Sequence, residues 1–153
     1  MRPGEFSQTG FLGEHERLED VLVRDARTLE EAGLSPDELA DALERLLDAA
    51  EAARGRSARL EGRFDVRIEV FTGFQICPWA PSPHSGQCTA GGGVRHASVA
   101  WQVRNRRTRE ELSGPGLIVH LIRAHRFFEG FESPHRVDPL ALARVLEVGP
   151  DAA

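Results

Sequence analysis

Four side chains in this sequence have the chemistry of a soft-metal site: Cys77, Cys88, His120 and His125. Thiolate sulfur and neutral imidazole are donors that a tetrahedral zinc ion takes readily. Cys77 and Cys88 are the only cysteines, with ten residues between them. In a cytoplasmic setting, paired cysteines serve more often as ligands or redox groups than as structural staples. His120 and His125 stand on one predicted helix with four residues between them, inside the usual spacing of a zinc histidine pair. Four protein ligands would close the coordination sphere and make the ion structural; three and a water would leave it open to substrate.

The order strand, Cys, loop, Cys, strand, then a helix bearing two His resembles a Cys2His2 zinc finger, over residues 64–128. The resemblance is one of layout. Such fingers keep their cysteines two to four residues apart, whereas the gaps here are ten residues and, from Cys88 to His120, thirty-one. The helix raises a further condition. Positions five apart diverge by roughly 140° on an ideal helix, so both imidazoles reach one metal only if the helix widens or unwinds between them, as a π-bulge would allow. Competing readings of the same residues are isolated core thiols with hydrogen-bonded histidines, and a Cys77–Cys88 redox disulfide. His84 and His96 are the substitute ligands. There is no HExxH, and Glu129 and Glu132 are merely near in sequence. The run from Gly116 to Asp138 is similar in character to small proteins of GC-rich bacteria, a likeness that brings no activity with it.

The elements that must position these groups are legible from hydrophobic period. Residues 1–13 read as an irregular lead-in, with Phe6, Phe11 and Leu12 pinning it to the core. From about Glu14, Leu18, Val21, Leu22, Ala26 and Leu29 form one helical stripe, ended by Gly33. Ser35-Pro36-Asp37-Glu38 reads as a capping box opening a second helix. The short link makes residues 14–54 an acidic antiparallel hairpin. The period becomes two at Phe64, giving a strand over Phe64–Val70, resumed at Phe74–Cys77. The Pro/Gly/Ser-rich loop 78–93 follows, and its Gly91-Gly92-Gly93 reads as a flexible hinge, since no P-loop Lys-Ser/Thr follows. Ala97–Val103 forms another strand, Asn105–Arg109 a turn, and Glu110–Leu112 a short return, so 63–112 is an antiparallel sheet. Residues 115–148 carry two helices, Leu117 to about Phe128 and, capped by Asp138-Pro139, Leu140 to about Val148. The expected fold is a single α+β domain over 1–153, a helical hairpin packed on a small antiparallel sheet.

Composition supplies the outer bounds. With 153 residues, 41% hydrophobic and 28% charged, the chain has an ordinary globular make-up. Its apolar runs are too short to span a bilayer and its first ten residues lack a signal-peptide core, so a soluble cytoplasmic protein with no membrane partner is expected. All 19 basic residues are Arg, which fits coding bias in a GC-rich genome. Residues 1–51 hold 14 acidic side chains and 5 Arg; residues 52–153 hold 10 and 14. Two oppositely charged layers attracting each other explain this division, and a basic half meeting an anionic partner is the sharper alternative.

These readings favour a non-catalytic protein-interaction module stabilised by structural zinc on Cys77, Cys88, His120 and His125. A metal- or thiol-dependent enzyme with its site in loop 77–96 is one alternative. Nucleic-acid binding through Arg104, Arg106, Arg107 and Arg109 is another, less favoured because no aromatic lies among them to stack a base. Trp101 is expected in the core. Trp79 reads either as an anchor for a partner or as a lid over the metal or thiol pair.

Overall fold

The computed structural model describes residues 10–73, 75–82 and 88–150. Expectations resting on Phe6, Phe74 and His84 lie outside these residues. The fold is α+β. Helices α1 (Leu18–Ala32) and α2 (Pro36–Ala52) come first, then a 3-10 turn (Arg54–Arg56). Strands β1 (Ser57–Leu60), β2 (Phe64–Val70), β3 (Val99–Asn105) and β4 (Glu111–Pro115) follow, and helices α3 (Ile118–His125) and α4 (Pro139–Leu146) close the chain. The four strands form one antiparallel sheet in sequence order. Register places Val66 opposite Val103 and Ile68 opposite Trp101, so one face of the sheet is apolar. That face packs beneath α2 and α4, and α2 also packs on α3.

The helical hairpin follows its sequence signals at one end and departs at the other. Gly33 takes the left-handed conformation (φ 68°) and its amide bonds the Glu30 carbonyl, while the Leu34 amide reaches Leu29. This is the reciprocal pair of a glycine C-cap. Helix α1 begins at Leu18, not near Glu14, because residues 13–16 form a separate turn closed by the Glu16 amide on the Gly13 carbonyl; the Glu16 carboxylate accepts the amides of Gly13, Phe131 and Glu132. Ser35 occupies the N-cap position of α2 with Pro36 behind it, but no side-chain capping bond forms, so the expected capping box is corrected to a bare N-cap.

Three further boundaries are corrected. Strand β1 was not expected; it pairs with β2 through a turn at Glu61 and Gly62, both at positive φ, closed by the Arg63 amide on the Leu60 carbonyl. Residues 75–77 are not a strand, although the Gln75 amide still bonds Ala97. Ser113-Gly114-Pro115 belongs to β4, and Gly114 is required there, since a β-carbon would stand 2.8 Å from both Trp101 and Val137.

The charge division resolves into a seam. Asp37, Asp41, Glu44 and Asp48 along α2 meet Arg126, Arg123 and Arg95 of the C-terminal half at 2.6 to 3.1 Å. Exposed pairs of this kind contribute little energy singly, but in a row they fix the register of α3 against α2. A better-buried pair, Arg136 with Asp25, joins α1 to the segment before α4 by two bonds of 2.8 and 2.9 Å. No helix among the described residues is long and apolar enough to cross a membrane.

Candidate metal centre

Each cysteine opens a tight turn. The Ala80 amide bonds the Cys77 carbonyl and the Gly91 amide bonds the Cys88 carbonyl, both at 2.9 Å. Such turns aim backbone N–H groups at the sulfur of their first residue. The Ala90 amide lies 3.4 Å from Cys88 Sγ, and the amides of Trp79 and Ala80 bond Cys77. Donors on sulfur favour the thiolate, the form that binds metal.

The imidazoles arrive from α3, whose apolar side (Ile118, Val119, Leu121, Ile122) is buried. This helix ends at His125, three residues short of the expected Phe128, because Arg126 turns left-handed (φ 55°). Phe127 and Phe128 leave the helix and are fully buried. No π-bulge separates the histidines. Widening occurs only past the second one, where the Arg126 amide is shared between Ile122 and Leu121. The side chains close the remaining offset themselves: the two rings stand 5.1 Å apart at 80°.

The four expected residues converge. One donor atom from each of Cys77, Cys88, His120 and His125 lies within 4.8 Å of the others. His125 Nε2 stands 3.3 Å from Cys77 Sγ and 3.2 Å from Cys88 Sγ. Sulfur and nitrogen on opposite corners of a zinc tetrahedron stand ~3.6 Å apart, so a few tenths of an ångström of expansion would seat the ion. These residues lie close enough to hold a metal ion. Both cysteines are buried and neither is in a disulfide.

Electrostatics divides the donors. Burial pushes the Cys77 thiol up to about 12, with Cys88 adding to the rise, so without a cation it stays a neutral thiol and a bound metal would have to displace its proton. Burial lowers His125 to about 4, helped by the neighbouring His120, and also lowers His120, helped by Arg123. Both imidazoles are therefore neutral at pH 7 with a lone pair to give. The buried His120 Nε2 has no hydrogen-bond partner, which a polar atom in the interior does not sustain without cost. A cation among the four donors would supply that partner.

Two groups form the walls. Trp79 stacks on His125 at 4.0 Å and 8° and meets Phe127 edge-on, so it is the lid and not an outward anchor. Gly93 faces His120 and Cys77: a β-carbon there would stand 3.2 Å from His120 Nε2 and 3.5 Å from Cys77 Cβ. Gly92 and Gly93 are thus packed against His120 at positive φ, while Gly91 has open space around it.

Other candidates fall elsewhere. His96 is not in the four-donor group; it packs against α2 carboxylates. Trp101 is buried and donates to the Pro115 carbonyl. Glu129 is buried and accepts the Ser133 hydroxyl. Arg107 is tied to Glu147 at 2.8 Å, which takes one fork out of the Arg104–Arg109 turn. Comparison of the chain with families of known proteins, with curated proteins and with solved structures returns no match.

Proposed function

We propose that the chain is a zinc-stabilised protein-interaction module in which the ion is structural. The observation that carries this reading is the convergence of two sulfurs and two imidazoles from segments distant in sequence onto one buried point. Four protein donors fill a zinc tetrahedron, so no position is left for substrate or a reactive water. The ion would tie loop 77–93 and α3 together beside the sheet. Its binding energy would count as folding energy for that half of the molecule.

An enzyme sited in loop 77–96 is less well supported. The group of four donors contains two sulfurs and two imidazoles and no carboxylate to orient an imidazole as a catalytic base. Metal analysis of the purified full chain tests the proposal, with Cys88→Ser as control and X-ray absorption to count sulfur neighbours. One zinc with two sulfur and two nitrogen ligands is expected, and loss of that zinc in the variant. A zinc content near zero in the parent chain overturns the proposal, as does a coordination shell holding an exchangeable water.

A further inference from the structure

A second set of metal-capable side chains lies on α2, sharing no residue with the first. Glu44, Asp48 and Glu51 recur at helical spacing, so they share one face. His96 is brought onto that face by the chain between the glycine run and β3. Its backbone is held closely: the Val99 amide bonds the His96 carbonyl, and a methyl on Gly116 would collide with that oxygen. Its side chain is 1% exposed.

The two ring nitrogens differ in their surroundings. Nδ1 stands 2.6 Å from Glu51 Oε1, a short hydrogen bond. Nε2 faces Asp48 Oδ1 at 3.3 Å and Glu44 Oε2 at 3.5 Å, yet it is buried with no hydrogen-bond partner. With the proton on Nδ1, the Nε2 lone pair points at two carboxylate oxygens. With a proton on Nε2, no acceptor lies in hydrogen-bonding geometry. Both arrangements leave one buried nitrogen unsatisfied, and a cation between Nε2 and the carboxylates satisfies it.

Distances agree with that reading. Nitrogen and oxygen donors on a tetrahedral first-row ion stand about 3.4 Å apart, a value that the two observed separations bracket. Donor atoms of Asp48, Glu51 and His96 all fall within 4.8 Å of one another; Glu44 is outside that group and joins only through its 3.5 Å approach to Nε2. Metal-bound imidazoles commonly give their second N–H to a carboxylate, which fixes the tautomer and raises basicity; Glu51 is placed to accept it. We propose that His96 Nε2, with the carboxylates of Asp48 and Glu44, holds a second divalent cation, with Glu51 orienting the ring.

The nitrogen-and-oxygen set suits a borderline ion such as Zn2+, Co2+ or Mn2+ over Mg2+ or Ca2+, which take oxygen alone. Arg95 must yield to it: this guanidinium bonds Asp48 Oδ1 at 2.6 Å and stands 3.9 Å from Glu44 Oε2, the same two oxygens, but its side chain is 66% exposed. Arg123 keeps its bond to the other oxygen of Glu44, Oε1, at 3.1 Å. The ion's remaining positions would open onto a cavity of about 440 Å³ lined by Glu44, Arg95, His96 and Arg123, which Gly93 and His120 of the Cys/His centre also line. With open coordination positions, this site would exchange its ion readily.

The test is titration of the metal-free full chain with Co2+, followed by zinc, for the parent, His96→Gln, Asp48→Asn and Cys88→Ser. Sulfur-to-cobalt charge transfer marks the Cys/His centre, and the second site lacks it. The parent is expected to take up two ions. His96→Gln and Asp48→Asn should each retain one, with the sulfur band unchanged, and Cys88→Ser should keep the ion that shows no sulfur band. A parent that binds one ion with a sulfur band and no other overturns the proposal. So does Asp48→Asn binding two, which decides the matter if His96→Gln does not fold. A parent that binds one ion without a sulfur band supports this site and rejects the Cys/His zinc.

Discussion

The contact between Gly93 and His120 can be tested against an internal control that the fold provides. Gly93 has a φ of 92° and Gly73 a φ of 91°. An alanine at either position is strained by the positive φ, by ~1–3 kcal/mol for a side chain held in that region, and the unfolding of each metal-free variant measures its own share. The surroundings differ. Nothing lies within 4 Å of a β-carbon at Gly73, whereas at Gly93 it would meet His120 Nε2 at 3.2 Å, Cδ2 at 3.4 Å and Cys77 Cβ at 3.5 Å. Relief at Gly73 costs the metal centre nothing. Relief at Gly93 requires the turn to back away from His120 and Cys77, or the ring to tilt away from the common point. Either movement spends the strain on the bound state, so metal affinity should fall between about fivefold and a hundredfold, the equivalent of ~1–3 kcal/mol. Chelator competition measures the affinity, and denaturant unfolding of the metal-free chains measures the strain. Equal metal affinities for Gly73→Ala and Gly93→Ala would refute the claim that Gly93 is a wall of the site.

Three other outcomes follow from the geometry. Burial lifts Glu129 to about 7 in the folded state from an ordinary 4.5, so this group's stabilisation fades as pH rises through that window, while the lowered His125 and His120 pull the other way below about 6.5; the unfolding free energies of the parent and Glu129→Gln in urea should therefore differ by a gap that shrinks by at most about 3 kcal/mol from pH 5 to pH 8, and a gap independent of pH would contradict the shift. Arg136→Gln leaves the buried Asp25 carboxylate without its guanidinium, at a cost of about 3–5 kcal/mol, part of which should return when Asp25→Asn is added; a double variant no more stable than the single one would count against the pair. Trp79 stacks on a ligand ring and Trp101 does not, so Co2+ should quench tryptophan emission in Trp101→Phe and leave Trp79→Phe unaffected.

The α+β class was readable because it depends on period. The stripe of α2 (Leu39, Leu43, Leu46, Leu47) and the alternation of Phe64, Val66 and Ile68 each state which face is buried. The convergence of Cys77, Cys88, His120 and His125 was readable because only two residues can supply a thiolate. What was not readable depended on side-chain reach and local closure. Strand β1 (Ser-Ala-Arg-Leu) is an edge with no residue fully buried, so it carries no apolar alternation; Gly62 was its one signal. The helix α3 stop at Arg126 is set by the pull of Phe127 and Phe128 into the core, which the helical spacing of the same residues disguised. The face of Glu44, Asp48 and Glu51 was visible as spacing, but its partner His96 lies 45 residues beyond Glu51, and no local pattern joins them.

The span from Cys88 to His120 encloses β3 and β4 whole. Bringing the four donors together therefore closes a loop that carries that hairpin and the start of α3. An ion bound there would act as a clasp across the hairpin's two ends. Both sulfurs are already buried without it, so a folded chain short of metal would keep its thiols out of solvent, and the ion would have to enter a site that is nearly closed.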